Sequence, residues 1–365
     1  MARFLDVFED VTKFGKKIPT SEYLTTGKYP VIDQGQNYIA GYIDKEDGLF
    51  ENVPVVIFGD HTRVIKYIDK PFFLGADGVK VLKAKSDDAN YKYLYYVLSS
   101  ANIPDTGYNR HFKWLKEIDI PNHSIQEQKQ IVEELDKVSL LIEQRNQQLS
   151  KLDELVKARF TEMFGDPVIN PKFWETTPLS SLIVTANNGM ARRGKDIDGS
   201  IVLRLVELQN GFIDYTEPNR ISLTETEEKR YRLKDNDFLF ARVNGNPDYV
   251  GRCAVFKEIP EHVYHNDHII RVHFDETKIN GCFTSVLLNS DYGKRQMREQ
   301  IKTSAGQYTI SQDGIGAIMA ILPPLELQKQ FASFVEKIEK SKLEIQQSLE
   351  KLETLKKSLM QQYFG

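Results

Sequence analysis

Apolar residues at positions 125, 131, 135, 138, 149, 152 and 155 recur in helical steps, and the same phase returns at 325, 331, 335, 338, 349, 352 and 355. So narrow a seam marks a helix that pairs with another helix rather than one lying on a globular core. Segments 125–165 and 325–365 align without a gap at an offset of 200 residues, with 12 of 41 positions identical. The identities include Gln128-Lys129-Gln130 with Gln328-Lys329-Gln330, and Phe164-Gly165 with Phe364-Gly365. The spacing therefore predicts two long helices. The first opens on Ser124-x-x-Glu127, a capping box, and the second follows Pro323 with Pro324 in its first turn. No Gly or Pro interrupts either before its closing Phe-Gly, so each rises roughly 60 Å at 1.5 Å per residue.

The expected seam is Leu135, Leu149, Leu152, Leu155, Val335, Leu349, Leu352 and Leu355. It weakens midway, where Ile142 and Arg145 correspond to Lys342 and Ile345. Antiparallel packing of one helix on the other within the chain is the simplest arrangement, an intramolecular coiled coil with pseudo-two-fold character; pairing between two chains is the alternative.

The stretches 1–122 and 166–322 have a different pattern. Short β-branched and aromatic runs predict strands at Val53–Phe58, Val64–Ile68, Val79–Leu82, Ile201–Leu208, Phe238–Val243, Val250–Phe256 and His268–Phe274, with helices at Asn90–Ser100 and Thr284–Gln300. Each stretch reads as a mixed α/β domain with polar, glycine-marked loops. The expected order is domain 1–122, helix 123–165, domain 166–322, helix 323–365.

Composition adds constraints. Hydrophobic content of 41% and charged content of 27% suit a folded chain, and no run reaches the 18 apolar residues of a membrane span. The acidic N-terminus MARFLDVFEDV lacks the basic start of a signal peptide, so a cytoplasmic location is expected. Cys253 and Cys282 stand alone, which suggests neither a disulfide framework nor a thiolate metal site. The net charge of −4 disfavours a solitary nucleic-acid binder; contact with DNA requires segregated charge or a partner that shares the phosphates.

Together these features resemble the specificity subunit of Type I restriction-modification systems. The resemblance spans the chain and rests on IPNHSIQEQKQIVEELD (120–136) and LPPLELQKQFASFVEKIE (322–339), each leading into a heptad-like run. It rests also on GKYPVIDQGQNYIAGY (27–42), VPVVIFGDHTRVIKYIDKPFFLGADGVKVL (53–82) and NDFLFARVNGNPDYVGRCAVF (236–256). The resemblance implies two target-recognition domains, each reading half of a bipartite asymmetric sequence in double-stranded DNA, and helices that set the spacing. It implies docking of two adenine-N6 methyltransferase subunits, which bind S-adenosylmethionine, and of restriction/translocase subunits, which use ATP and Mg. The specificity subunit itself is then non-catalytic, with no cofactor of its own.

Sequence readout needs side chains that bond base edges on a frame that grips phosphates. The sharpest cluster is Asp60-His61-Thr62-Arg63 after Gly59, where the plainer role is a hairpin whose Asp60 caps the turn. Next is Gly107-Tyr108-Asn109-Arg110-His111, with Arg110 suited to phosphate. Farther on come Arg192 and Arg193, then Arg242, Asn244 and Asn246, with Gln307 and Tyr308 weaker. His265-Asn266-Asp267-His268 offers weak metal-like spacing. Asn246-Pro247-Asp248-Tyr249 resembles an amino-methyltransferase signature but has Asp248 where that signature has a second proline, and no glycine-rich cofactor loop accompanies it. A loop turn is the better reading. A coiled-coil adaptor with protein-binding heads is the main competing function, and a stand-alone methyltransferase a second.

Overall fold

A computed structural model of the chain describes residues 1–75, 78–107, 109–304 and 306–365. It divides into two compact units, Met1–Gln147 with Gln346–Gly365, and Gln148–Ile345.

The first unit is built on a four-stranded antiparallel sheet in the order Phe8–Asp10, Val79–Ala84, Val55–Gly59, Ile65–Ile68. Successive side chains of a strand face opposite sides, and here both sides are covered. Val56 and Phe58 enter the core shared with helix Tyr91–Ser100, while Val55 and Ile57 enter a second core with Phe72 and Leu74. A three-stranded sheet (Gly41–Ile43, Tyr29–Ile32, Phe73–Leu74) has its last pair parallel, and Ala2–Arg3 pairs with Asp119–Ile120.

The second unit repeats this plan. Its four-stranded sheet runs Ile183–Asn188, Ile269–Phe274, Phe238–Ala241, Cys253–Val255. Phe238 and Phe240 face one core and Leu239 and Ala241 the other. The sheet Arg220–Ile221, Ser200–Leu203, Val263–His265 again contains one parallel pair, and Thr176–Pro178 pairs with Met319–Ile321. A further sheet of Val243–Asn244, Gln307–Thr309 and Lys302–Ser304 is added.

Several expected boundaries move. The run expected as a strand over Ile201–Leu208 stays in the sheet only to Leu203, and the strand expected over Val250–Phe256 begins at Cys253. The helix expected over Thr284–Gln300 is two helices, Gly281–Asn289 and Asp291–Gln300. Ser290 breaks it, because its hydroxyl accepts from Gly293 N and caps the second helix. A Cβ on Gly293 would lie 2.3 Å from Leu288 O, so only glycine permits this close corner.

Both long helices form, as Ile125–Phe164 and Leu325–Phe364. Ser124 and Glu127 make the reciprocal capping box: Ser124 N donates to the Glu127 carboxylate (2.7 Å) and Glu127 N to Ser124 Oγ (3.3 Å). The repeated glutamine has one role twice, since Gln128 Nε2 donates to His123 O (3.0 Å) and Gln328 Nε2 to Pro323 O (2.7 Å). Helix pairing is antiparallel within each unit. In the first, Ile131 and Leu135 meet Leu359, Met360 and Tyr363, whose hydroxyl donates to Glu134. In the second, Val156 and Phe160 meet Phe331 and Val335, and Lys342 Nζ lies 2.6 Å from Asp153.

Leu135 and Val335 are buried and Leu149, Leu152, Leu349 and Leu352 half-buried, but Leu155 and Leu355 are 45% and 46% exposed, a correction to the expected seam. A 3.6-residue helix drifts against a 3.5-residue repeat, and cover passes to Val156 and to the Lys356 stem, whose Nζ lies 6.0 Å from the Tyr96 ring. Each helix closes on an aromatic contact of the same kind. Phe364 lies 5.7 Å from Tyr93, and Phe164 lies 4.7 Å from Phe283. Tyr93 and Phe283 occupy the same turn of helices capped by Asn90 and Asn280.

Candidate nucleic-acid interface

In the first unit the two polar clusters singled out from sequence form one surface. Strand Val55–Gly59 ends in a turn whose Asp60 is 4% exposed. Its carboxylate accepts from Phe112 N (2.7 Å), and its carbonyl accepts from His111 N (2.8 Å) and lies 3.0 Å from His111 Nδ1. Asp60 thus ties the turn to the segment leading into the first long helix. On this joint His61 Nδ1 lies 3.2 Å from Asn109 O, while Arg63 donates to Asp105 (2.7 Å) and to Ile103 O (3.3 Å). Asn109, Arg110 and Thr62 are exposed; Tyr108 lies outside the described residues.

Sequence reading missed Gln34, which accepts from His61 N (3.1 Å) through Oε1 and from Thr62 Oγ1 (2.6 Å) through its carbonyl. Its loop is held in turn by Lys66, whose buried ammonium donates to Asp33 O (2.8 Å) and Asn37 O (2.6 Å). Burial pulls the Lys66 pKa below its ordinary value. The available signal was a lysine in a strand of otherwise apolar character.

The second unit has the corresponding joint with different residues. Ile310 N donates to Arg242 O (2.9 Å), and Asn244 pairs with Tyr308 across Val243–Asn244 and Gln307–Thr309. Asn244 Oδ1 accepts from Asn246 N (2.9 Å) and Asn246 Oδ1 from Asp248 N (3.0 Å), so 244–249 is a chain of local turns. The Arg252 guanidinium covers the Tyr249 ring at 4.4 Å. A turn, with the aromatic face occupied, is what the Asn-Pro-Asp-Tyr segment forms.

Arg193 and Arg242 converge on one loop. Arg193 donates to Asp267 (2.6 Å) and lies 3.1 Å from His268 Nε2, while Arg242 donates to Asp267 O (3.1 Å). Arg192 sits apart, forked onto Glu227 (3.1 and 2.8 Å) and onto Ser222 O. The bond from Arg192 holds the Glu227 carboxyl down at about 2. His265 is buried with Nδ1 3.2 Å from Tyr231 O, and among the described residues no group of three His, Cys, Asp or Glu side chains is placed to hold a metal.

Each unit therefore presents donors and acceptors from a strand-end loop of its four-stranded sheet, bonded to the segment ahead of a long helix. Such a surface suits hydrogen bonding along a groove and differs in residue content between the two units.

Among curated proteins, the chain is 34% identical over 166 residues to the Type I restriction enzyme StySPI specificity subunit of Salmonella potsdam, covering 45% of this chain and 36% of that one. It is 26% identical over 196 residues to the putative type I restriction enzyme MjaX specificity subunit of Methanocaldococcus jannaschii, covering 53% and 46%. The matches thus span less than half the length of these relatives. The S subunit of a Type I restriction-modification system from M. genitalium shares the fold, with a TM-score of 0.60 at 16% identity over 100% of this chain and 95% of that one. A structure concerned with assembly and conformational transition of the type I R-M system gives a TM-score of 0.53 at 13% identity, over 100% and 96%. The Type I restriction modification DNA specificity domain matches at residues 3–152 and again at 197–357, and the chain belongs to that family.

Proposed function

We propose that this chain is the DNA-reading, non-catalytic specificity subunit of a Type I restriction-modification complex, each unit reading one half of a bipartite target. One observation carries the reading: the same sheet order and the same loop-to-helix joint occur twice, while the loops at that joint differ in length and residues. A duplicated frame with divergent tips suits one kind of contact made to two different sequences.

In this reading 1–122 and 166–322 are the recognition domains, and 123–165 and 323–365 are the spacer and docking helices. His61, Thr62, Asn109, Asn244 and Asn246 are the candidates for base edges. Arg63, Arg110, Arg192, Arg193 and Arg242 are the candidates for phosphate or guanine. Two methyltransferase subunits carrying S-adenosylmethionine dock on the helices, and restriction/translocase subunits using ATP and Mg join them in the cytoplasm. The small formal charge of −4 fits a subunit whose partners share the phosphate grip.

Mapping N6-methyladenine across a genome that carries the complete system tests this. The expected result is one bipartite motif with an unread gap. A contiguous motif, or failure of the chain to bind any duplex with or without its methyltransferase partner, would overturn the reading.

A further inference from the structure

The two units match at an offset of 190 residues through the strands Val79–Ala84 and Ile269–Phe274 and the helix caps Asn90 and Asn280. From Ile118 and Ile318 onward, whose carbonyls accept from Phe4 N and Leu179 N, the offset is 200. Ten residues have been gained between these points in the second unit. The helix Asp291–Gln300 has that length and follows Ser290, which is 190 residues beyond Ser100, the end of its counterpart helix.

This extra helix buries Gly293 and Met297 and turns Lys294, Arg295 and Arg298 outward, with exposed Lys302 just beyond. Arg298 lies one turn beyond both Lys294 (i, i+4) and Arg295 (i, i+3), so it neighbours each of them on the helix surface. Among the described residues no acidic side chain pairs with Lys294, Arg295 or Lys302, whereas Arg192, Arg193, Arg204 and Arg220 are each bound to an internal carboxylate. Basic charge is therefore open to solvent on the insert and engaged at these four arginines.

The insert is joined to the candidate reading loop. Arg298 Nη2 lies 2.6 Å from Asp248, with both side chains about three-fifths exposed. Gly251, at φ +79°, lies so close to Met297 that a Cβ would meet its sulfur at 2.5 Å. Strand Lys302–Ser304 pairs with Gln307–Thr309, whose Tyr308 pairs in turn with Asn244. The space between loop and helix, about 20 Å³, is water-sized, so this region offers a surface rather than a pocket. In the first unit, basic residues stand on the segment ahead of the long helix instead, as Arg110, Lys113 and Lys116; their counterparts at the 200-residue offset are Ile310, Asp313 and Gly316.

We infer that the inserted helix adds a phosphate grip to the second unit: Lys294, Arg295 and Arg298 contact the DNA backbone beside the bases faced by loop 242–250, and Arg298 exchanges Asp248 for a phosphate on binding. This rests on the DNA-reading function proposed above. An ion pair this exposed contributes little to stability, so the exchange is easy, and each neutralised phosphate steepens the salt dependence of binding by about 0.9.

The test uses the full chain with its methyltransferase partner, titrated with target and scrambled duplexes over a range of roughly 50 to 300 mM salt, chosen to resolve the slope. Lys294→Ala/Arg295→Ala/Arg298→Ala is expected to flatten the plot of log affinity against log salt by about two to three, with the preference for target over scrambled duplex retained. Asp248→Asn frees Arg298 and is expected to tighten binding severalfold, a gain that misfolding does not mimic. Arg295→Lys/Arg298→Lys keeps the charge and is expected to keep the slope. An unchanged slope in the triple variant, or no gain in Asp248→Asn, overturns the inference while leaving the DNA-reading function intact. Absence of duplex binding by the unsubstituted complex overturns both.

Discussion

Asp60 stands in a candidate reading loop, yet its own side chain faces inward and bonds Phe112 N across 52 residues of sequence. Removing the carboxylate leaves a buried backbone donor unpaired, which costs about 1–3 kcal/mol. Asp60→Ala is therefore expected to lower stability by that amount in chemical denaturation, and Asp60→Asn, which keeps an acceptor, to recover most of it. His265 is held inside the second unit in the same way: it is fully buried, and that burial lowers its pKa from 6.5 to about 4. Its Nδ1–H donates to Tyr231 O, which suits the neutral ring. Because the folded pKa is depressed, the unfolded chain binds more protons between pH 6.5 and 4, and stability falls as pH drops through that window. The slope from this group is at most about 1.4 kcal/mol per pH unit, and a His265→Gln variant is expected to show a shallower loss between about pH 7 and 4.5. Turn chemistry made 60–63, 107 and 109–111 legible in the sequence as polar loop residues. That Asp60 binds them into one surface was not legible, since nothing local records a contact between residues so far apart.

At the scale of elements, apolar phase and capping residues revealed both long helices to within a residue of their ends, because such signals are local. Which seam position is covered depends on the partner helix and on the drift of the heptad, and that is why Leu155 and Leu355 differ from expectation. The same distinction ranks substitutions. Phe164 is fully buried against Phe160, Phe283 and Phe331, so Phe164→Ala is expected to cost about 3–5 kcal/mol. Leu155→Ala, at an exposed site, is expected to change stability by no more than about 0.5 kcal/mol. Equal losses in urea denaturation would show that the seam, and not the aromatic cluster, carries the helix pairing. The break at Ser290 was hidden for a related reason: the stretch stays helical in composition on both sides, and the corner is made by the Ser290 cap together with the close approach of Gly293 to Leu288.

For the whole molecule, the chain order of domain, helix, domain, helix conceals an unequal division. The second unit is one continuous stretch, 148–345, which already contains both helical pieces of its core. The first unit is discontinuous and draws Leu359, Met360, Tyr363 and Phe364 onto Tyr93, Ile131 and Leu135. Sequence boundaries at 122, 165 and 322 follow changes of composition, whereas the folded units cut each helix near its middle, because burial follows antiparallel partners rather than chain order. A fragment 148–345 is therefore expected to unfold cooperatively by itself. A fragment 1–147 lacks the residues that cover its helix and exposes apolar surface, so it is expected to bind a hydrophobic dye and to melt early. Adding a peptide of residues 346–365 supplies the missing face without a covalent link, and the expected outcome is recovered helicity, lost dye binding and a higher Tm that rises with peptide concentration, as mass action requires. If 1–147 were as stable without the peptide as with it, the C-terminal helix would be an appendage of the first unit rather than part of its core.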